Sequence, residues 1–341
     1  MIELVALAAA LLASFYVAWN IGANNTGNAM GTAVGANVLS YRRAITLLII
    51  FIVLGAALEG SKVMKPVGEQ IVTGTDPLTS PFSKLPEAVA IAMVCAGLWV
   101  TLQTKRGFPV SVHQAIIGAL VGAGVSMGMF SATIQIVTKV DWWKLLRIVG
   151  AWALTPFTAA FFAFLVYRIF EIPIKKVKAP EKLNLIFIIA VIASGCYVAY
   201  TMGANDVGTA MGAAYAVEKG GTIANLVEKL ALLGAVGVAI GSLTYSRKVM
   251  GTVGMGIMPL GPMSAFAAQF GAALTVHLFT QFGLPVSTSE SIVGGIVGVG
   301  LIGGVAAVSR RKLGQIVLAW ISTPTMSMIL AFSLTSVLIL V

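Results

Sequence analysis

The side chains with the clearest chemical potential lie in two matching polar segments of an otherwise apolar chain. Residues 22–31 read GANNTGNAMG and residues 203–212 read GANDVGTAMG, so seven of ten positions are identical. An ionised carboxylate in hydrocarbon is costly enough that it usually faces a cavity or a partner. Asp206, together with Asn24, Asn25 and Asn205, therefore predicts an ion site rather than a lipid-facing surface.

The same two segments predict interrupted helices, because glycine, asparagine and threonine weaken a helix. A broken helix exposes carbonyls on one side and N–H groups on the other, and such backbone survives at membrane depth only beside a protein-walled or watery cavity. The carbonyls and a carboxylate can hold a cation, and the N–H groups can hold an anion. Some of the glycines, at 27, 31, 35, 208 and 212, have a simpler interpretation as points of close helix approach.

A second repeated motif marks two helix starts. Residues 107–111 (GFPVS) and 283–287 (GLPVS) contain proline turns, and the pairs Ser111 with Gln114 and Ser287 with Glu290 have capping-box spacing. Because the preceding segments already span the membrane, we expect these helices to start inside it, as re-entrant hairpins. Their two positive ends would suit a tetrahedral oxyanion.

The side chains at these helix starts leave alternatives open. The serines can cap their helices, bind a ligand, or do both. Glu290 is either the capping partner of Ser287 or a cation ligand. His113 could titrate near neutral pH, although a hydrogen-bonded structural role is commoner for a single histidine beside a polar turn.

The elements that must position these residues are membrane-spanning helices. Of 341 residues, 58% are hydrophobic and 10% charged, which is too little polar surface for a water-soluble globule of this size. The apolar runs, such as 45–58 and 145–166, are continuous, whereas barrel strands would alternate apolar and polar residues. We therefore expect an all-α polytopic membrane protein.

The chain is a duplication, because a third match follows the other two in the same order: residues 148–156 resemble residues 316–324. We divide it into a first repeat at 1–167, a basic cytoplasmic linker at 168–183 and a second repeat at 184–341. Five spans per half would invert the second repeat and place both termini outside. The inside loops then hold most of the 22 lysines and arginines, as the positive-inside rule requires. Inverted repeats with broken helices are a common plan of secondary transporters.

Several function classes lack support. The sequence has no phosphate-binding loop of the nucleotide-hydrolysing type, no metalloprotease helix and no serine nucleophile elbow, so we expect no enzyme. The formal charge of +10 comes from short basic clusters between apolar spans, which explains membrane orientation better than nucleic-acid binding. An anion channel is the distant alternative to a carrier.

Residues 203–207 (GANDV), their first-half copy and the paired Gly-x-Pro-Val-Ser turns resemble the inorganic phosphate transporter (PiT) family of sodium- or proton-coupled carriers. The resemblance covers nearly the whole chain. It implies two inverted repeats, phosphate bound beside coupling cations, a homodimer in the plasma membrane, and no cofactor beyond the transported ligands. The short linker suggests a prokaryotic inner-membrane protein.

The resemblance also implies a ligand set. The residues expected to bind phosphate are Asn25, Thr26, Ser111, Gln114, Asp206, Ser287, Thr288 and Ser289. The residues expected to bind sodium are Asn24, Asn205, Asp206 and Glu290. Asn25 departs from the family, where aspartate is common, and losing that carboxylate is expected to change the coupling number or the preferred ion.

The sequence thus predicts a secondary active symporter that imports inorganic phosphate with cations by alternating access. Sodium is favoured over protons as the coupling ion, but proton coupling stays open. Sulfate carriage also stays open, because sulfate is another tetrahedral oxyanion. Only phosphate has a proton to donate, and Asp206 is a candidate acceptor for it.

Overall fold

The protein is almost entirely α-helical, as predicted. The computed structural model describes residues 2–35, 38–74, 81–134, 136, 138–177, 179–218, 225–247, 249, 260–303 and 310–341. The helices of the first half are α1 (Ile2–Gly35), α2 (Tyr41–Glu59), α3 (Ser61–Gln70), α4 (Pro81–Lys84), α5 (Pro86–Arg106), α6 (Val112–Met129), α7 (Ser131–Ile134) and α8 (Trp142–Ile174). Two short strands, β1 (Val72–Gly74) and β2 (Thr138–Val140), pair antiparallel.

The second half repeats the order of the long helices. They are α9 (Pro180–Met202), a π-helical turn (Gly203–Val207), α10 (Gly208–Glu218), α11 (Leu226–Tyr245), α12 (Pro262–Gln281), α13 (Thr288–Gly303) and α14 (Arg310–Leu340).

The protein is a multi-pass membrane protein. In the described part of the chain, nine helical segments are long and apolar enough to cross a membrane, and α13 is a shorter apolar helix. Large apolar side chains cover their outer faces, among them Phe157, Leu318 and Ile321. Such a surface suits lipid, whereas in water it would drive association. The first half contributes five of the nine, and the second half contributes four together with α13. Five helices in each half agree with an inverted repeat, and the orientation in the bilayer stays a prediction.

The predicted break in the first half is wrong, because α1 passes through residues 22–28 without interruption. Neighbouring groups satisfy the polar side chains that weaken an isolated helix. The Thr26 hydroxyl donates to the Gly22 carbonyl (2.6 Å). Gly22 itself permits a close helix contact, since a Cβ there would collide with the carbonyl of Val238 on α11. Tertiary packing has overridden a weak local propensity.

In the second half the predicted break is a single π-helical turn, Gly203–Val207. The helix is therefore distorted there but not severed. Such turns are inserted into α-helices frequently at functional sites, and this one carries Asn205 and Asp206.

The predicted linker, 168–183, is largely helical. Helix α8 continues to Ile174 and α9 begins at Pro180, so only residues 175–179 lie between them. An Arg168–Glu171 ion pair (3.0 Å) and a Lys175–Glu171 ion pair (2.9 Å) lie along the end of α8. Ion pairs at i,i+3 and i,i+4 spacing stabilise a helix. They explain why the first part of the predicted linker is helical, although its polar composition had suggested a loop.

The two halves are intertwined rather than side by side. Helix α2 packs on α9 and α11 packs on α1, while α6 packs on α14 and α13 packs on α8. Equivalent glycines make these crossings close. A Cβ at Gly118 would collide with the Pro324 carbonyl, and a Cβ at Gly294 with the Pro156 carbonyl. The repeat boundaries therefore do not separate two independently packed units.

We predict that Gly118→Ala and Gly294→Ala each destabilise the protein by about 1–3 kcal/mol, because the added methyl must displace backbone. Gly150→Ala is the matched control, since nothing lies within 4 Å of a Cβ at that position in α8. Thermal unfolding of the purified protein in detergent measures the effect. Equal melting temperatures for Gly118→Ala and Gly150→Ala would contradict the proposed close crossing.

Candidate functional site

Each half contains a helical hairpin whose tip is buried inside the protein. Helices α5 and α6 flank the first tip, and α12 and α13 flank the second; Ser111 and Ser287 at these tips are at most 1% exposed. Gly107 and Gly283 have φ angles of 80° and 67°, which glycine adopts without strain as a helix ends. The predicted hairpins are present, and their depth in the bilayer stays a prediction.

Asn24 holds the first hairpin tip against α1. Its amide nitrogen donates to the Thr104 hydroxyl (2.8 Å) and to the Phe108 carbonyl (3.0 Å). Its amide oxygen accepts a hydrogen bond from the N–H of Val110 (3.2 Å). One side chain thus satisfies backbone groups that the turn would otherwise leave without partners.

Asn205 repeats this pattern in the second half. It donates to the Thr280 hydroxyl (2.8 Å) and the Leu284 carbonyl (3.1 Å), and it accepts from the N–H of Val286 (3.2 Å). In this structure both amide groups hydrogen-bond to the hairpin tips, which gives Asn24 and Asn205 a positioning role. Their predicted role as sodium ligands stays a prediction.

At each hairpin tip, one tryptophan of the other half of the chain donates a hydrogen bond to a proline carbonyl. The Trp152 indole on α8 donates to the Pro285 carbonyl (2.9 Å), and the Trp320 indole on α14 donates to the Pro109 carbonyl (3.3 Å). Each hairpin is therefore held by an asparagine of its own half and by a tryptophan of the opposite half.

A polar cluster forms where α1, the π-helical turn and the second hairpin tip meet. The Asn25 amide nitrogen donates to Asp206 Oδ2 (2.8 Å) and to Thr288 Oγ1 (3.0 Å). The Thr288 hydroxyl donates to the same Asp206 oxygen (3.2 Å). Asp206 is fully buried. Three predicted ligands, separated by up to 263 positions, thus share one site.

Ser289 extends the cluster towards the first hairpin. Its hydroxyl lies 3.4 Å from Asn25 Oδ1 and 3.2 Å from the Val110 carbonyl, and it accepts a hydrogen bond from the Asn28 amide (2.9 Å). His113 Nε2 lies 3.3 Å from Asp206 Oδ1. We refer to Asn25, Asn28, His113, Asp206, Thr288 and Ser289 as the central cluster.

The sequence motifs did not identify Asn28 as a ligand, and they favoured a structural role for His113 over a titrating one. Asn28 follows Asn25 by three positions, so the two share a helix face, and that spacing could have identified it. His113 lies in the first turn of α6, next to the capping serine, and only the packing of the two hairpins brings it to Asp206.

Within the described residues, four buried atoms of the central cluster make no hydrogen bond in the protein: Asn28 Oδ1, Asp206 Oδ1 and both ring nitrogens of His113, of which Nε2 only lies 3.3 Å from Asp206 Oδ1. Buried polar atoms are normally hydrogen-bonded. Two of the four are oxygens, which are the ligands that hard cations prefer. The geometry therefore fits an ion site around Asp206.

The predicted helix caps are present at both tips. Ser111 Oγ accepts from the N–H of Gln114 (3.3 Å), and Ser287 Oγ accepts from the N–H of Glu290 (3.2 Å). Because His113 and Thr288 lie in the first turns of α6 and α13, the positive ends of both helices face the central cluster. Such ends favour a bound anion.

Gln114 and Glu290 form a pair of their own. The Gln114 amide donates to Glu290 Oε1 (2.6 Å), so the Glu290 side chain is turned to the opposite half. Both line a cavity of about 550 Å³ between α8 and α14. Among the described hydrogen bonds, none joins either side chain to Asn25, Asp206 or Thr288. The ligand roles expected of Gln114 and Glu290 stay predictions.

Thr26 also lies outside the central cluster. Its hydroxyl bonds the Gly22 carbonyl and lies 2.7 Å from Ser242 Oγ on α11. Successive helix positions face different directions, so Asn25 faces Asp206 and Thr26 faces α11. The predicted contact of Thr26 with phosphate stays a prediction.

Comparison with known proteins identifies the protein family to which the chain belongs. The sequence model of the Phosphate transporter family matches residues 21–178 and 170–331 of the chain. The chain therefore belongs to the phosphate transporter family, as its motifs indicated, and it is a membrane transporter rather than an enzyme.

Individual relatives agree with this membership. A candidate phosphate permease of Haemophilus influenzae is 30% identical, with 91% of each chain covered. A candidate phosphate permease of Methanocaldococcus jannaschii is 30% identical, with 94% of each chain covered. A solved structure described as the sodium-dependent phosphate transporter matches with a TM-score of 0.87 at 26% identity, covering 99% of this chain and 100% of that one.

We predict that Asn205→Ala lowers stability by about 1–3 kcal/mol, because it leaves the Leu284 carbonyl and the Val286 N–H buried without this partner. Asn24→Ala should have a similar effect, as the equivalent residue. Asn184→Ala, at an exposed position of α9, serves as the control. Unfolding in detergent measures all three, and an Asn205→Ala protein as stable as Asn184→Ala would show that the hairpin tip does not depend on this side chain.

Proposed function

We propose that this protein is a secondary active symporter that imports inorganic phosphate together with sodium. The observation that carries the proposal is the central cluster. It places one buried carboxylate, Asp206, among hydroxyl and amide groups at the starts of two opposed helices. Membership of the phosphate transporter family and the sodium dependence of the solved relative support phosphate and sodium as the cargo.

The central cluster offers both kinds of ligand. Hydroxyls at Thr288 and Ser289 and backbone N–H groups at the two helix starts can donate to phosphate oxygens. Asp206 Oδ1 and Asn28 Oδ1 can contact a cation. A bare anion would be costly to desolvate at this depth, whereas a cation beside it offsets the charge. Sodium should therefore strengthen phosphate binding, and phosphate should strengthen sodium binding.

The intertwined halves support transport by alternating access. Each hairpin tip contacts an asparagine of its own half and a tryptophan of the other, so movement of one bundle against the other changes access to both sides of the central cluster. Rocking of repeat-derived bundles about a central site is an established plan in transporters.

Proton coupling is the second candidate, and one observation favours it. His113 Nε2 lies 3.3 Å from Asp206 Oδ1, so this buried pair could hold a proton where the other proposal has sodium. Sulfate remains an alternative cargo. The homodimer, the plasma-membrane location and the external termini remain predictions from the sequence.

The test is uptake of radiolabelled phosphate into proteoliposomes under an inward sodium gradient, an inward proton gradient or neither. We expect uptake with sodium, loss of uptake in Asp206→Asn, and retention in the exposed control Glu181→Gln. Uptake under a proton gradient alone would select the His113 alternative. Uptake of sulfate without phosphate would contradict the cargo, and uptake independent of both gradients would contradict symport.

We predict that Asn25→Asp increases the number of cations coupled to each anion. Asn25 is equivalent to Asp206 in the other half and lies 2.8 Å from it, so a second carboxylate would require an added cation or proton to offset repulsion. The dependence of initial uptake on sodium concentration measures this change. An unaltered dependence in an active Asn25→Asp protein would contradict a direct role for this position in coupling.

We predict that Thr288→Val weakens phosphate uptake roughly tenfold, because it removes a hydroxyl worth about 1–3 kcal/mol while keeping the side-chain shape. The control is Val112→Thr, which changes the equivalent position of the first hairpin in the opposite sense. The concentration of phosphate at half-maximal uptake gives the comparison. Equal effects of the two substitutions would show that the two hairpins contribute alike, contrary to the asymmetric cluster.

A further inference from the structure

A second group of ionisable side chains joins the first arm of the second hairpin to three other helices. His277 on α12 has its Nε2 3.3 Å from Glu59 Oε2, at the end of α2, and its Nδ1 2.7 Å from the Tyr197 hydroxyl on α9. The Tyr200 hydroxyl, also on α9, donates to Glu59 Oε1 (2.8 Å). Lys62 on α3 forms an ion pair with the same glutamate (3.3 Å). We refer to these five residues as the lateral cluster.

The lateral cluster is separate from the central cluster. Helix α12 also packs on α13 and on the π-helical turn, but their ionisable side chains, Glu290 and Asp206, bond to Gln114 and Asn25. Helices α1 and α8 pack on α12 as well, and no described contact joins an ionisable side chain of either helix to His277.

The two clusters also differ in their exposure. The side chains of Lys62 and His277 are 41% and 28% exposed, whereas that of Asp206 is fully buried. Protons can therefore reach the lateral cluster without any opening of the central cluster.

The first half has the same tyrosine contact without a histidine. Counted from the repeated motifs, Tyr16 corresponds to Tyr197 and Thr101 corresponds to His277. The Tyr16 hydroxyl lies 2.6 Å from the Thr101 hydroxyl, at the place where Tyr197 meets His277. The contact is conserved between the halves, and only the second half makes it through an imidazole.

The glutamate also has an uncharged equivalent in the first half. A Cβ at Gly55 would collide with the Tyr200 carbonyl, and a Cβ at Gly241 would collide with the Trp19 carbonyl, so these two crossings are equivalent. Four positions after the glycines stand Glu59 and Tyr245, respectively. The Tyr245 and Trp19 rings pack with their centroids 6.4 Å apart. The duplicated frame thus has a charged joint at the second hairpin and an aromatic joint at the first.

A proton changes the strength of the charged joint. Histidine is the side chain whose charge ordinarily changes between about pH 5 and 8. A neutral imidazole meets the Glu59 carboxylate only as a dipole, whereas a protonated imidazole forms an ion pair with it. Because charge-assisted hydrogen bonds are the stronger kind, protonation of His277 fastens α12 more firmly to α2.

We propose that the lateral cluster is a proton-sensing joint that slows transport as the pH falls. The inference rests on the proposed function, because the step that the joint controls is movement of the second hairpin during transport. The ion pair between His277 and Glu59 holds the first arm of that hairpin in place, so the hairpin moves less readily. The proton is sensed and not carried, since it binds outside the central cluster.

The first test is initial uptake of radiolabelled phosphate into proteoliposomes at pH 6 and at pH 8, under an inward sodium gradient and with equal pH on both sides. The quantity compared is the ratio of uptake at pH 8 to uptake at pH 6. His277→Thr installs the residue of the first half, and we expect the ratio to be about threefold larger in the wild-type protein than in this variant. Phosphate itself titrates in this range, and that effect is common to both proteins.

Two further variants show whether the pair acts as a unit. Glu59→Gln removes the charge and keeps the side-chain shape, so it should reduce the ratio as His277→Thr does. The double variant should reduce it no further. Glu181→Gln, at an exposed position of α9, should keep the wild-type ratio. Equal ratios in the wild-type protein and both single variants, or additive effects in the double variant, would overturn the proposal.

The second test follows the hairpin itself and needs no transport. A nitroxide is attached at Phe282→Cys, a position that is 70% exposed at the end of α12, while the native Cys95 and Cys196 are buried. We expect its motion in the detergent-purified protein to be slower at pH 6 than at pH 8, and the difference to vanish with His277→Thr. Equal motion at both pH values would overturn the proposal. Absence of phosphate uptake alongside a His277-dependent change in motion would instead contradict the proposed function.

Discussion

Hydrocarbon offers no hydrogen bonds, so every polar group buried at membrane depth must find its partner within the protein. The two hairpin tips are the places where backbone groups most need such partners, because the helices end there. At each tip, one asparagine side chain supplies them. Asn24 and Asn205 satisfy both donors and acceptors of the turns. Because the tips are fixed in this way, the starts of α6 and α13 can face each other across the interior and define a site.

The duplication supplies a symmetric frame, and the site depends on departures from that symmetry. The asparagine and tryptophan contacts at the tips are repeated in both halves, whereas Asp206 corresponds to Asn25 and Thr288 to Val112. The centre of the site therefore holds one aspartate, Asp206. It accepts a hydrogen bond from Asn25, the equivalent residue of the first half. Symmetry therefore provides the scaffold and the two opposed helix ends, while the asymmetric residues determine which ions can bind together.

The sequence predicted the helical class, the duplication and both caps, because period, spacing and repeat are local properties of the chain. The family resemblance implied that Asn25 and Thr288 share a site with Asp206, whereas neither it nor the motifs assigned His113 or Asn28 to that site. It failed where tertiary partners decide the outcome. Glycines and asparagines at 22–28 predicted a break, yet neighbouring helices supply their partners. The resemblance also assigned both Asn24 and Asn25 to the ligand site, one to sodium and one to phosphate, although adjacent helix positions differ by about 100°. Only the packing shows that Asn24 faces a hairpin and Asn25 faces Asp206.

The central claim is that sodium and phosphate bind as mutually stabilising ligands around Asp206. Linkage makes it directly testable, because a cation that raises phosphate affinity must have its own affinity raised equally by phosphate. Calorimetric titration of phosphate into the detergent-purified protein at increasing sodium, with ionic strength held constant by choline, is the measurement. We expect phosphate affinity to rise with sodium in the wild-type protein and not in Asp206→Asn. A phosphate affinity independent of sodium in the wild-type protein would contradict it.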